Sequence, residues 1–217
     1  MNPRDEKWKV LVVLDGCRYD CFKEANDVFE GKLMMIDNDG CLDTQQWYIT
    51  HWLGRDNSDT ILIHGIHFVD MFGKSFFKAY KMWDYDTMLK IDEQITFAEK
   101  VIEKHPDKRI LIHFLQSHIP FNNPKGREFL KSLGTSGHGM PLDHQLVTDY
   151  GNKNGWEEIK NLYKEEIRYV LEKIKNSKIN PDVITSDHGI RIGEMNVYRH
   201  GAPHPVVTTV PYLKVKK

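Results

Sequence analysis

The chain has 217 residues, of which 30 are Lys or Arg and 31 are Asp or Glu, for a formal net charge of −1. A length of this order buries a sizeable core and is read as one domain over residues 1–217. The balanced charge supplies no field that would draw nucleic acid or an anionic membrane, so neither is expected as a partner. The polar N-terminus lacks the apolar core of a secretion signal, and no run reaches the length of a membrane span, which points to a soluble, cytoplasmic protein.

The first element is a valine-rich apolar run, residues 10–14, that reads as a strand covered on both faces, followed by helix-like spacing over residues 19–29. The strand delivers Asp15 into the turn at Gly16. A carboxylate leaving a buried strand must be hydrogen-bonded, paired or bound to a cation, because burying it bare costs several kcal/mol or more. Either a metal or the amides of the next helix would satisfy Asp15, and Arg18 with Asp20 has the spacing of a structural pair. After a glycine-containing loop, Cys41, Leu42, Asp43 and Thr44 lead into another helix-like segment, with Asp43 and Thr44 rival caps. Cys17, Cys21 and Cys41 form neither a disulfide framework nor a zinc ribbon and are read as reduced thiols.

Strands are expected at residues 60–64, 109–114, 182–186 and 206–215, the last interrupted by Pro211. Helices are expected at residues 92–104, capped by Asp92, and at 156–176, where Ile159, Leu162, Tyr163, Ile167, Val170, Leu171 and Ile174 share one face. Between them, residues 120–155 read as a long Gly- and Pro-rich segment that covers a site. The aromatic segment 68–86 reads as core or as a partner surface. Strand and helix alternate, which argues for an α/β fold with three layers, α/β/α, around a mostly parallel sheet.

Such sheets gather functional groups at the carboxyl ends of their strands. Asp15 falls there, as do Asp187 and His188 after residues 182–186. On an extended strand Asp187 and His188 would face opposite ways, so a turn begun by Gly189 is needed to aim both at one ion. A carboxylate with an imidazole suits zinc, manganese or iron better than calcium. His118 lies just past a further strand candidate, and His200 lies between the Asp187 turn and the last strand; either could bind an anion.

These motifs together resemble the alkaline phosphatase and sulfatase superfamily. Asp15-Gly16-Cys17-Arg18-Tyr19-Asp20, Gln116-Ser117-His118-Ile119-Pro120-Phe121, Ser186-Asp187-His188-Gly189, His200-Gly201 and Val210-Pro211-Tyr212 occur in that family's order. The chain is most similar to the threonine-nucleophile subgroup of phosphotransferases and hydrolases, which move phosphoethanolamine or phosphoglycerol head groups. The resemblance implies Thr44 as the nucleophile, with Thr50 as the alternative. It implies Asp15, Thr44, Asp187 and His188 as ligands of one divalent ion, zinc or manganese, and leaves room for a second ion at His118. It further implies His118, His200 and Arg18 as substrate-binding residues, with His204 replacing or joining His200 and Glu194 supporting the site where Ile190 departs from the family's acidic residue. The substrate implied is a phosphoester, small or linked to a lipid or sugar. Hydrolysis of a sulfate ester is the alternative reaction, disfavoured because Cys41 lacks the proline and arginine context of a maturing sulfatase cysteine. A catalytically degenerate binding protein is the alternative from another class.

Overall fold

The computed structural model describes residues 3–82, 90–135 and 141–217. In chain order it contains strand β1 (Val10–Asp15), helix α1 (Tyr19–Ala25), β2 (Gly31–Asp37), α2 (Thr44–His51), β3 (Asn57–His64), β4 (Phe76–Lys81), α3 (Ile91–Lys104), β5 (Arg109–Ser117), α4 (Pro124–Ser132), α5 (Pro141–Asn154), α6 (Glu157–Lys175), β6 (Val183–Ser186), β7 (Arg191–Ile192), β8 (Tyr198–Arg199), α7 (Pro205–Thr208) and β9 (Thr209–Val215). Seven strands form the central sheet in the order β2-β9-β6-β1-β5-β3-β4, and β7 pairs with β8 separately. Strands β1, β3, β4, β5 and β6 run parallel, while β9 is antiparallel to both of its neighbours.

Strand β1 explains the layering. All six of its residues are buried, and their alternation divides them between two cores. Val10, Val12 and Leu14 pack with Phe22 of α1, Ile95 of α3 and Ile167 and Leu171 of α6. Leu11 and Val13 pack on the opposite face with Trp47 and Tyr48 of α2, Trp52 and Phe72. A strand buried on both sides needs a continuous apolar run, which is what residues 10–14 supply.

Several expectations are corrected. The first helix stops at Ala25, where Asn26 turns back and its side chain bonds the amide and carbonyl of Phe29. The N-cap of α3 is Lys90, not Asp92; Asp92 lies inside the first turn and pairs with Lys173 of α6. Residues 206–215 are not one strand: Pro205, with its preset φ, starts the short α7 after His204, and β9 begins only at Thr209. Pro211 stays within β9, and its carbonyl accepts the Thr185 hydroxyl at 2.7 Å. Residues 120–155 contain α4 and α5 rather than a bare loop. Strands β2 and β4 were not foreseen; both are sheet edges and only partly buried, and β4 lacks a continuous apolar run. Of the aromatic segment, Phe72 and Phe76 are core, Tyr80 packs against Phe97, and Phe77 is exposed; Trp83 and Tyr85 lie outside the described residues, as do the side chain of Phe68 and the rest of that expectation. Among the described residues no helix is long and apolar enough to cross a membrane.

Candidate active site

Three adjacent parallel strands, β6, β1 and β5, end at the same edge of the sheet and carry Asp187 with His188, Asp15, and Ser117 with His118 into one region. A fourth group arrives from a helix. Asp43 caps α2 by accepting the Gln46 amide at 2.8 Å, so Thr44 is the first residue inside the helix and not its cap. Asn38 fixes the preceding loop by donating to the carbonyls of Cys41 and Asp187 at 2.8 and 2.7 Å. The Thr44 hydroxyl then donates to Asp187 Oδ2 at 2.6 Å and lies 3.4 Å from His188 Nε2.

His188 Nε2 is also 3.3 Å from Asp15 Oδ1 and 3.5 Å from Asp187 Oδ2. One ligand atom from each of Asp15, Asp187 and His188 lies within 4.8 Å of the others, and all three residues and Thr44 are buried. His188 donates from Nδ1 to the Gly189 carbonyl at 2.9 Å, which aims Nε2 at the carboxylates. Burial alone would lower the pKa of this imidazole; the charges of Asp187 and Asp15 and the hydrogen bond to Asp15 overcome that and raise it to about 9. Burial would raise that of Asp187, but His188, His113 and the Thr44 hydroxyl hold it well below the usual carboxylate range. Two carboxylates and an imidazole nitrogen that converge in one buried space are suited to hold a divalent cation.

Two glycines make this geometry possible. Gly16 has φ of +67°, and its amide donates to Asp187 Oδ1 at 3.1 Å; a Cβ there would sit 3.3 Å from the His118 ring. Gly189 is needed for a different reason from the turn expected of it. A Cβ at Gly189 would stand 1.9 Å from the Val206 carbonyl oxygen, and the Gly189 amide bonds Val207 O at 2.7 Å. Close approach of two backbones, rather than a positive φ, requires this glycine. Asp187 and His188 escape the alternation of an extended strand because β6 has already ended at Ser186.

Beside the carboxylates stands a group of imidazoles. His200 is 4.5 Å from His188 between ring centroids and 5.4 Å from His118. His144, which sequence reasoning missed, joins them from α5, 4.8 Å from His118 and 6.2 Å from His200. Carbonyl oxygens accept only, so His118 must carry its proton on Nδ1, bonded to Ile119 O at 2.7 Å, and His200 likewise toward Leu42 O at 3.3 Å. Burial, with the neighbouring imidazoles His188, His118 and His144, drives His200 well below its ordinary pKa, and burial beside His118 brings His144 down to about 3. Nothing in the local sequence of His144 sets it apart; only the packing of α5 against β8 brings it here.

The remaining expected residues lie differently. The guanidinium of Arg18 is held by Asp20 at 2.6 Å and by Glu194 at 2.9 Å, so the pair read with Asp20 exists and extends to Glu194. His204 caps α7 by accepting the Val206 amide at 3.2 Å. Thr50 bonds Cys41 Sγ at 3.6 Å, six residues further along α2 than Thr44.

No protein-family model matches the sequence, and no curated protein does. Solved structures do match in fold. The soluble domain of lipooligosaccharide phosphoethanolamine transferase A from Neisseria meningitidis superposes with a TM-score of 0.58 at 15% identity, covering 95% of this chain and 76% of that one. The C-terminal periplasmic domain of EcEptC from Escherichia coli gives 0.53 at 16% identity, covering 100% and 75%. Against the integral membrane form of the Neisseria transferase the score is 0.55 at 14% identity, and this chain spans 47% of that protein. With its mostly parallel seven-stranded sheet between two helical layers, the chain has the alkaline phosphatase/sulfatase-like fold.

Proposed function

We propose that this protein is a metal-dependent phosphoester transferase or hydrolase that uses Thr44 as its nucleophile. The observation that carries the reading is the Thr44 hydroxyl at the start of α2, 2.6 Å from Asp187 and 3.4 Å from His188, inside the cluster those residues form with Asp15. The phosphoethanolamine transferases of the same fold support phosphoryl-group transfer as the reaction class.

Asp15, Thr44, Asp187 and His188 would hold one divalent ion, zinc or manganese. Such an ion, when bound, lowers the pKa of the nucleophilic hydroxyl and offsets charge on the phosphoryl oxygens. The protein's own groups do the rest. Thr44 Oγ1, its proton leaving by way of Asp187, which already accepts its hydrogen bond, forms the new bond to phosphorus as the bond to the ester's leaving oxygen breaks and that oxygen takes up a proton. The amides at the N-terminus of α2 favour the anionic phosphoryl group. His118 and His200, with their protons turned to backbone carbonyls, keep lone pairs on Nε2. His118 therefore accepts the proton of the water or alcohol that later displaces Thr44, and His200, held neutral, accepts a hydrogen bond. Arg18, engaged by Asp20 and Glu194, supports the turn after Asp15 instead of binding substrate directly. A phosphoester carried on a lipid or sugar is the substrate class this chemistry suits.

The test is turnover of an activated aryl phosphodiester by zinc-loaded protein, with intact-mass analysis of the quenched reaction. Wild type should accumulate a phosphoryl adduct on Thr44, and Thr44→Ala should lose both the adduct and at least about a hundredfold in rate. Full turnover by Thr44→Ala removes the nucleophile. Zinc bound without turnover of any phosphate or sulfate ester makes the chain a binding protein.

A further inference from the structure

We propose that Tyr48 and His113 form a positioning device for Asp187, through which one helix sets both the nucleophile and the carboxylate it meets. The proposal builds on the reading of Asp187 as a metal ligand. Tyr48 lies four residues after Thr44 on α2, so the two side chains project from the same face of the helix. The Tyr48 hydroxyl is 3.0 Å from His113 Nδ1. His113 Nε2 is in turn 3.5 Å from Asp187 Oδ2, the same oxygen that accepts the Thr44 hydroxyl. Helix α2 thus reaches Asp187 Oδ2 twice, directly through Thr44 and one turn later through Tyr48 and His113.

The direction of the second path follows from donor and acceptor chemistry. An ionised carboxylate only accepts, so the imidazole nitrogen facing Asp187 carries the proton. In a neutral ring the other nitrogen, Nδ1, then holds a lone pair, and the Tyr48 hydroxyl donates to it. Each group is locked by packing. Tyr48, His113 and Asp187 have no solvent exposure; Tyr48 stacks on Phe72 at 5.4 Å and on His113 at 5.7 Å, and Trp47 closes the edge of His113 at 5.8 Å. His113 sits within β5, paired in register with Val13 of β1 and His64 of β3, so its backbone is held on both sides. Outer partners of this kind orient a ligand and typically govern metal affinity by about tenfold or more.

The alternative is a core hydrogen bond with no bearing on the site. Zinc affinity, by competition with a chromophoric chelator, and the tautomer of His113, by nitrogen NMR of ion-free wild type, separate the two. Tyr48→Phe keeps the stacked ring and removes only the hydroxyl; His113→Phe removes the hydrogen bond to Tyr48 and the imidazole nitrogen that faces Asp187. Wild-type His113 should carry its proton on Nε2. Each variant should bind zinc about tenfold more weakly, and the double variant should be no weaker than His113→Phe alone, because Tyr48 acts through His113. An Nδ1–H tautomer overturns the proposal whether or not either variant folds. Zinc bound by Tyr48→Phe as tightly as by wild type overturns it while leaving the metal site standing; no zinc bound by wild type overturns both.

Discussion

The candidate site has two halves that sit side by side and are built on opposite principles. Asp15, Asp187 and His188 place ligand atoms within 4.8 Å of one another and draw a proton onto the imidazole, raising it to about 9. His118, His144 and His200 lie at ring separations of 4.8 to 6.2 Å, and two of them are pressed toward the neutral form by burial and by each other. His188 is thus driven toward its charged form and His144 and His200 toward the neutral one, and the neighbours decide which. Carboxylates that must share a buried space call for a cation. His144 and His200, buried and crowded by other imidazoles, are left neutral. The two halves should therefore fail differently when mutated.

The largest expected effect lies in the carboxylate half. Asp187→Asn keeps the shape but removes the charge that His188, the Thr44 hydroxyl and the Gly16 amide all face. Zinc affinity should fall by more than about a hundredfold, beyond what loss of an outer partner produces, and turnover with it. Chelator competition checks this. Affinity within threefold of wild type would show that Asp187 is not a ligand and would erase the distinction between the halves.

A smaller and qualitatively different effect is expected from the imidazole half. His144→Phe preserves a ring beside His118 and Tyr198 but removes the imidazole nitrogens beside His118. Turnover of the zinc-loaded protein should drop about tenfold while the zinc content by mass spectrometry stays unchanged. A loss of bound zinc matching the loss of rate would mean that the halves are one metal site, not a cation site and an acceptor group.

The two halves were also unequally legible in the sequence. Asp15 and Asp187 each follow an apolar run whose composition demands a doubly covered strand, so their arrival at one sheet edge could be foreseen from local pattern and parallel topology. Thr44 was legible through its loop and helix start, although Asp43 proved to be the cap. His144 and the path through Tyr48 and His113 were not. His113 sits in the middle of an apolar strand, Tyr48 in a helix, and His144 in a segment read as loop; what joins them to the site is the packing of α2 and α5, which no local spacing encodes. The edge strand β4 escaped for a related reason, since a partly exposed strand has no need of a continuous apolar run. Gly189 was correctly marked as necessary for the motif, but its reason is the carbonyl of Val206, seventeen positions on.

The smallest effect is expected at the other end of β1, where a carboxylate serves the fold and not the site. Asp182 Oδ2 accepts the amides of Lys9 and Val10 at 2.7 and 2.9 Å, and its other oxygen meets Lys217 at 3.0 Å. Partial burial raises its pKa, but the two amides and the lysine more than offset this and hold the group below the ordinary carboxylate value. A depressed folded pKa means that the unfolded chain takes up the proton first as pH falls. The stabilisation is therefore complete above the ordinary carboxylate range and is lost on acidification through it toward the lower folded value. Because Asp182 is partly solvated, the contribution is about 1 kcal/mol. Asp182→Asn should lower stability to urea by about that much at neutral pH and by less as the pH falls below 4, with zinc affinity untouched at both. A change in zinc affinity would mean that the anchoring of β1 at its start is transmitted along the strand to Asp15, and that the carboxylate half depends on the whole strand and not only on its end.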